Sequence, residues 1–267
     1  LKRLNRESGP RFLRDRGAAF VILGTLAWRR KTLIRTALIL ACLLPVTTLA
    51  QAIDTNRPGF SYSPNVVPRG AWQMETGFDY VRFDSNNDAK ALPQAEFRYG
   101  IADDVELFVS SLGWVDGDFG SGFLDPNLGA KVSVGDAGSI VNMAFLFELS
   151  VPIGGNDVTS DSWDPSLGFV WAMSGGLGLA GTLKVSHFDS DFQLDNGLKL
   201  PFSFNNRHHA FVEWEANLPE NGSSSHWLNG GYQWLLEYGT QIDFSAGAGL
   251  DDDAGDWRFG VGFSMRL

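Results

Sequence analysis

Glu213-Trp214-Glu215 sets two carboxylates two residues apart. On a β-strand that spacing leaves them on one face, about 7 Å apart along the chain. Such a pair suits proton transfer or cation binding; its commoner use is to hold basic neighbours, here Lys184 or Lys199. Histidine chemistry is less well placed. His208 and His209 are adjacent, so on a strand they leave opposite faces and do not form one site. Ser186-His187 and Ser225-His226 are also adjacent, and no Ser/His/Asp set is evident from spacing, for His226 or any other histidine. Asp251-Asp252-Asp253 offers oxygens to a divalent ion but lacks the regular ligands and closing Glu of a calcium loop. Gly247-Ala248-Gly249 is followed by no helix, so it is not a nucleotide fingerprint. On this reading there is no catalytic residue, no metal ligand and no cofactor.

The elements that carry these side chains are strands. Trp257, Phe259, Val261, Phe263, Met265 and Leu267 alternate with Arg258, Gly260, Gly262, Ser264 and Arg266. A period of two makes one face oily and leaves the other with two arginines. Trp72, Met74, Phe78 and Tyr80 alternate in the same way with Gln73, Glu75, Gly77 and Asp79; Ala91, Pro93, Ala95, Phe97 and Tyr99 alternate with Gln94, Glu96 and Arg98. Further strands are expected near 105–113, 127–134, 141–151, 167–173, 177–187, 197–204, 209–216, 227–237, 241–250 and 256–267. That makes twelve, with ten or fourteen as alternatives. An even number puts both ends on one side, as single-chain bacterial barrels require.

Charge divides the chain. Residues 1–52 hold ten basic and two acidic residues; the remainder holds 11 basic and 29 acidic, a net charge of −18. Arg29, Arg30, Lys31 and Arg35 form the positive start of an export signal, 36–46 its apolar run, and Ala50-Gln51-Ala52 its small-residue cleavage site. Ile53 is the expected mature start, with cleavage after Ala50 as the near alternative. Residues 1–28, which open on Leu, are expected to reflect a start site assigned too far upstream. The 17–28 run is too short to span a membrane, which takes about twenty apolar residues. Cys42 is the sole cysteine, and Ile39-Leu40-Ala41-Cys42 is a poor lipidation box, so the mature chain is expected to hold none. Its negative charge repels phosphate and argues against nucleic acid.

Strands greasy on one face and wet on the other have two homes. In a soluble sandwich the apolar faces pack together. In a transmembrane barrel they face lipid, and closure satisfies every backbone polar group. Trp72, Tyr99, Trp114, Trp163, Trp227 and Trp257 fall near strand ends, as an interfacial girdle would, and favour the barrel. The expectation is therefore all-β: a transmembrane antiparallel up-and-down β-barrel of about 12 strands, one domain over 53–267, in the outer membrane of a Gram-negative bacterium. Ile53–Arg69 is expected to be a periplasmic N-terminal arm or partial plug. Short turns at 101–104, 135–138, 174–176, 205–208 and 238–240 would face the periplasm. Longer outer loops would carry Asp84, Asp88, Asp116, Asp118, Asp157, Asp161, Asp189, Asp191, Asp195, Glu220 and the Asp251–Asp253 run. Expected partners are lipid, lipopolysaccharide and the barrel-assembly machinery, the last through the final strand, where Leu267 takes a place usually held by an aromatic.

The inward positions then become the candidate functional surface: Glu75, Asp79, Glu96, Arg98, Glu106, Lys131, Glu148, Lys184, Lys199, Glu213, Glu215, Asp243, Arg258 and Arg266. Eight are acidic and six basic, which predicts a mixed-charge lining with some cation preference. The alternative is a lumen shut by ion pairs, in which Arg98, Arg258 and Arg266 sit beside Glu96, Asp243 and Glu75.

Several segments together resemble a known family. They are Asp54-Thr-Asn-Arg-Pro-Gly-Phe60, Val67-Pro-Arg-Gly70, Glu75-Thr-Gly-Phe78, Phe97-Arg-Tyr-Gly-Ile-Ala-Asp-Asp-Val-Glu-Leu107, Asp125-Pro-Asn-Leu-Gly-Ala-Lys131, Val151-Pro-Ile-Gly154, Gln241-Ile-Asp243 and Gly260-Val-Gly-Phe-Ser-Met-Arg266. Across almost all of 53–267 the chain resembles the MetA-pathway of phenol degradation family of outer-membrane transporters. The resemblance implies an outer-membrane barrel and passage of small compounds, aromatic ones included; it carries over no catalytic residue. The expected function is a channel for passive passage of small solutes, aromatic or hydrophobic ones among them. A structural or adhesion-type barrel with a closed lumen is the alternative. A barrel hydrolase is third, and the His-x-Ser order of barrel phospholipases is missing from the sequence.

Overall fold

The computed structural model describes residues 53–267 apart from 119, 136–138, 189–190 and 238. The export signal and Cys42 lie outside the described residues, as does Asp189. Three strands come first, β1 (Trp72–Arg82), β2 (Asp88–Gly100) and β3 (Val105–Leu112), then two short ones, β4 (Trp114–Gly117) and β5 (Gly120–Phe123). They are followed by β6 (Asn127–Val134), β7 (Val141–Ser150), β8 (Asp164–Met173), β9 (Ala180–Phe188) and β10 (Asp191–Asn205). The last four are β11 (His208–Pro219), β12 (Ser225–Glu237), β13 (Thr240–Gly249) and β14 (Trp257–Arg266).

Pairing is antiparallel throughout these strands, and β1 bonds to β14 on one side and β2 on the other, so the sheet closes on itself. β4 pairs with β2 at Ala89–Ala91, beyond the end of β3. β3 and β4 therefore form one wall strand, and β4–β5 is a hairpin at its far end. The closed ring is β1, β2, β3 and β6 to β14, twelve strands. Sequence periodicity missed the hairpin because four-residue strands are too short to show alternation.

The break in that wall strand has a local cause. Pro93 brings no N–H to the ladder, and the β1–β2 register slips there, from Gln94 opposite Gly77 to Ala91 opposite Asp79. A Cβ on Gly113 would collide with the Pro93 carbonyl, so glycine is what lets the chain turn past the bulge. The slip also changes which side chains face inward. Arg98 is buried below it, whereas above it Ala91 is buried and Leu92 exposed. The single alternation expected from Ala91 to Tyr99 is corrected to two phases.

Burial is inverted relative to a water-soluble domain. The largest fully buried side chains include Arg98, Lys131, Gln73, Glu75, Glu106 and Glu213, while Phe97, Phe145, Phe147, Val212, Phe244 and Val261 are exposed. In water the preference runs the other way. An apolar band around a polar interior is what hydrocarbon demands of a closed sheet. The protein is a closed twelve-stranded transmembrane β-barrel.

Three other expectations need correction. The connection after β8 covers 174–179 rather than 174–176, because Gly175, Gly176 and Gly178 take positive φ (88°, 62° and 66°) and delay β9. Asp88, Asp116, Asp191 and Asp195 belong to strands, not loops. Trp227 does not join the aromatic girdle. It shares strand parity with inward Asn229 and is 5% exposed, against 53% for Trp72. Trp114, Trp163 and Trp257 are exposed, and Tyr99 packs on Trp72 with ring centroids 4.5 Å apart.

Candidate functional site

Residues 53–69 form no regular element, so their backbone polar groups need partners from elsewhere. The barrel wall supplies them. Phe60 and Ser61 each donate a backbone N–H to Glu213, at 2.7 and 2.7 Å. Asn56 and Arg57 donate to Glu75 at 3.2 and 2.9 Å, and Val67 donates to Glu106 at 2.7 Å. Wall cations reach the arm's carbonyls: Lys199 to Ser61 at 2.7 Å, Lys131 to Ser63 at 3.0 Å, Arg98 to Asp54 at 3.1 Å. Thr182, Gln233 and Gln241 add neutral contacts to Tyr62, Arg57 and Thr55. Tyr62 also packs against the apolar cluster of Phe108, Ala144, Leu146 and Val170.

The inward charges pair with one another, some between neighbouring strands and others across the strands that lie between them. Arg98 lies 2.8 Å from Glu75, 2.9 Å from Glu106 and 3.6 Å from Glu96. Lys131 stands opposite Glu106 on the next strand and reaches it at 3.1 Å. Lys199 stands opposite Glu213, 3.8 Å away. Lys184 meets Glu148 at 3.5 Å rather than the 213/215 pair. Arg258 bonds Glu215 and Asn229 and covers the Trp227 ring, its guanidinium carbon 4.5 Å from the ring centre. Arg266 donates to Gln73 at 2.9 Å.

These partners differ from the expected ones in an instructive way. Arg98 does sit beside Glu96 and Glu75, but Arg258 pairs with Glu215, not Asp243. Asp243 faces Arg57 at 3.6 Å, and Asp79 faces the same guanidinium at 3.1 Å. Sequence reading assigned Arg57 and Gln73 no site role. Gln73 carried a usable signal, since it opens the polar phase of β1; nothing in the arm's irregular sequence marked Arg57.

Space remains on both sides of the arm. At the end bearing Ile53 and Leu267 a vestibule of about 780 Å³ is lined by Asp54, Arg69, Asp103, His209, Gln233 and Arg266, among others. None of its lining residues lines the three cavities deeper in the barrel and toward the other end. Those measure about 520 Å³ (beside Asp125, Glu148, Asp164 and Lys184), 290 Å³ (beside Arg57, Glu215 and Arg258) and 190 Å³ (beside Tyr62, Glu75 and Glu96). Asp125 anchors the outer loop 151–163 by accepting from Gly154 N (2.7 Å), Ser160 N (3.0 Å) and Thr159 Oγ1 (2.9 Å). Burial would raise this carboxyl's pKa, but those donors outweigh it and hold it below the ordinary aspartate value.

The histidines are dispersed. His209 Nδ1 lies 3.0 Å from Ser203 Oγ, His208 stacks on Tyr232 and Trp234, and His226 stacks on Trp214. Among the described residues no carboxylate hydrogen-bonds His209, so Ser203 and His209 form an incomplete catalytic set.

The family model described as MetA-pathway of phenol degradation matches residues 55–267. Among solved structures, the chain resembles an outer membrane channel from Pseudomonas putida F1 at 14% identity and a TM-score of 0.59, covering 79% of this chain and 99% of that one. It resembles the NanC porin at 5% identity and a TM-score of 0.53, covering 73% and 100%. The KdgM porin follows at 10% identity and a TM-score of 0.50, covering 72% and 98%. These likenesses establish the fold. No individual curated protein sequence matches the chain.

Proposed function

This chain belongs to the MetA-pathway of phenol degradation family, and on that footing we propose that it is a passive outer-membrane channel for small solutes, aromatic or hydrophobic ones among them. One observation carries the reading. Cavities of about 780 and 520 Å³ occupy the two ends of the interior, and the segment between them is held mostly by polar contacts, backbone-to-carboxylate hydrogen bonds among them. Such bonds exchange readily for water when the segment moves, unlike a packed apolar core. The 53–69 arm then acts as a partial plug whose displacement sets the width of the path.

Solutes would move down their gradient along a lining in which carboxylates outnumber cations, so small cations should pass more readily than anions. The reversal potential of purified protein in a planar bilayer under a potassium chloride gradient tests this. The channel reading expects discrete events with modest cation selectivity; silence, or anion selectivity, contradicts it. A second reading, a structural barrel with a sealed interior, draws support from the buried Arg98 cluster, which fills part of the cross-section. That reading expects no events.

A further inference from the structure

The cavity of about 520 Å³ at the end away from Leu267 has a charge imbalance that the arm does not answer. Asp125, Glu148, Asp164 and Asp195 line it, with Lys184 as the one ammonium among the described lining residues. Two of these carboxylates are occupied by the fold. Asp125 is saturated by the 151–163 loop, and Asp195 accepts from Gln193 at 2.6 Å and Asn217 at 2.9 Å.

The other two are not. Glu148 is 7% exposed and Asp164 5% exposed. Glu148 offers one oxygen to Lys184 at 3.5 Å, and Asp164 accepts from Ser162 at 2.6 Å. The remaining oxygens, Glu148 Oε1 and Asp164 Oδ2, are buried with no hydrogen-bond partner. An unanswered acceptor on a buried carboxylate is costly, and here both groups border open volume of a size typical of small-molecule sites.

We propose that this cavity is a docking site for a small organic cation, an amine whose ammonium donors satisfy Glu148 Oε1 and Asp164 Oδ2 once those two carboxylates turn toward the open volume. Two features select that chemistry. Four carboxylates against one lysine favour a cation over a neutral polyol or an anion. Among the described residues no three acidic, histidine or cysteine side chains converge as a metal site requires, so donors spread over an extended molecule fit better than a single ion. The inference deepens the channel reading by naming a solute class, but binding can be titrated whether or not the lumen conducts.

The test is calorimetric titration of the detergent-solubilised mature chain at physiological salt, with 1,4-diaminobutane, its neutral isostere 1,4-butanediol, and calcium chloride as probes. The diamine should bind about tenfold or more tightly than the diol, as charge-assisted hydrogen bonds predict. Asp164→Asn and Glu148→Gln should each erase most of that difference, while Glu220→Gln on an outer turn leaves it intact. Equal binding of diamine and diol, no binding, or tighter calcium binding that displaces the diamine would each overturn the proposal. So would diamine binding unchanged in both Asp164→Asn and Glu148→Gln, since it would place the amine elsewhere. The wild-type diamine-to-diol ratio stands even where a variant fails to fold. Channel silence with amine binding intact would sink the conduction reading alone.

Discussion

Arg98 is the best-connected charge in the barrel, and it is fully buried with three carboxylates around it. Its fork geometry matters, because Nε and Nη2 engage Glu106 together while Nη1 bonds Glu75. Arg98→Ala would strand those carboxylates without a counter-charge. It should lower unfolding stability in lipid vesicles by about 3–5 kcal/mol, the usual effect of removing one member of a buried ion pair. Arg98→Lys should recover little of this, since a point charge cannot bond both glutamates in the same way. A loss under 1 kcal/mol by urea titration would show that the cluster is far wetter than its burial implies. Asp125 gives a second residue-scale prediction. Its folded pKa is depressed, so its hold on the 151–163 loop is complete above the ordinary aspartate value and is lost as pH falls through the folded one. Asp125→Ala should remove that hold at neutral pH, and limited proteolysis should then cut near Thr159; an uncut loop would mean that other contacts suffice.

At the scale of elements, the arm and β2 show what a sequence can and cannot say. Most of the twelve ring strands were legible as two-residue alternation, because lipid on one side and polar groups on the other impose that period, and the 197–204 strand followed from the need for an even count. The parity of Trp227 was misread because a lone aromatic near a strand end looks alike from either face. The β2 phase change was missed because a bulge inserts one residue without altering composition. Which cation meets which carboxylate depends on inter-strand register, as with Lys131 opposite Glu106, and alternation within one strand is silent on register. The arm's contacts were least legible of all, since they join its backbone to side chains far along the chain, such as Glu213. Glu213→Ala removes the acceptor of two arm N–H groups and the partner of Lys199. Hydrogen exchange at Phe60 and Ser61 should rise at least tenfold, while exchange in β11 stays slow. Unchanged protection there would mean the arm is fixed by other contacts.

For the molecule as a whole, the inverted distribution of polarity makes outward positions sensitive to the bilayer and indifferent to conduction. Phe145 sits mid-strand on β7, exposed beside Phe169 with ring centroids 5.7 Å apart. Phe145→Arg should cost about 2–4 kcal/mol of stability in vesicles, as cationic side chains do at mid-depth on a barrel's lipid face. Little or no cost would place that ring outside the hydrocarbon.

The central claim is that a polar passage runs the length of the barrel and that residues 53–69 are what narrows it. Single-channel conductance of the mature chain, compared with a variant lacking residues 53–66, bears on it most directly. The account predicts small, cation-preferring events for the intact chain and a several-fold larger conductance once the arm is gone. Equal conductance in the two proteins, or silence in both despite correct folding, would contradict it.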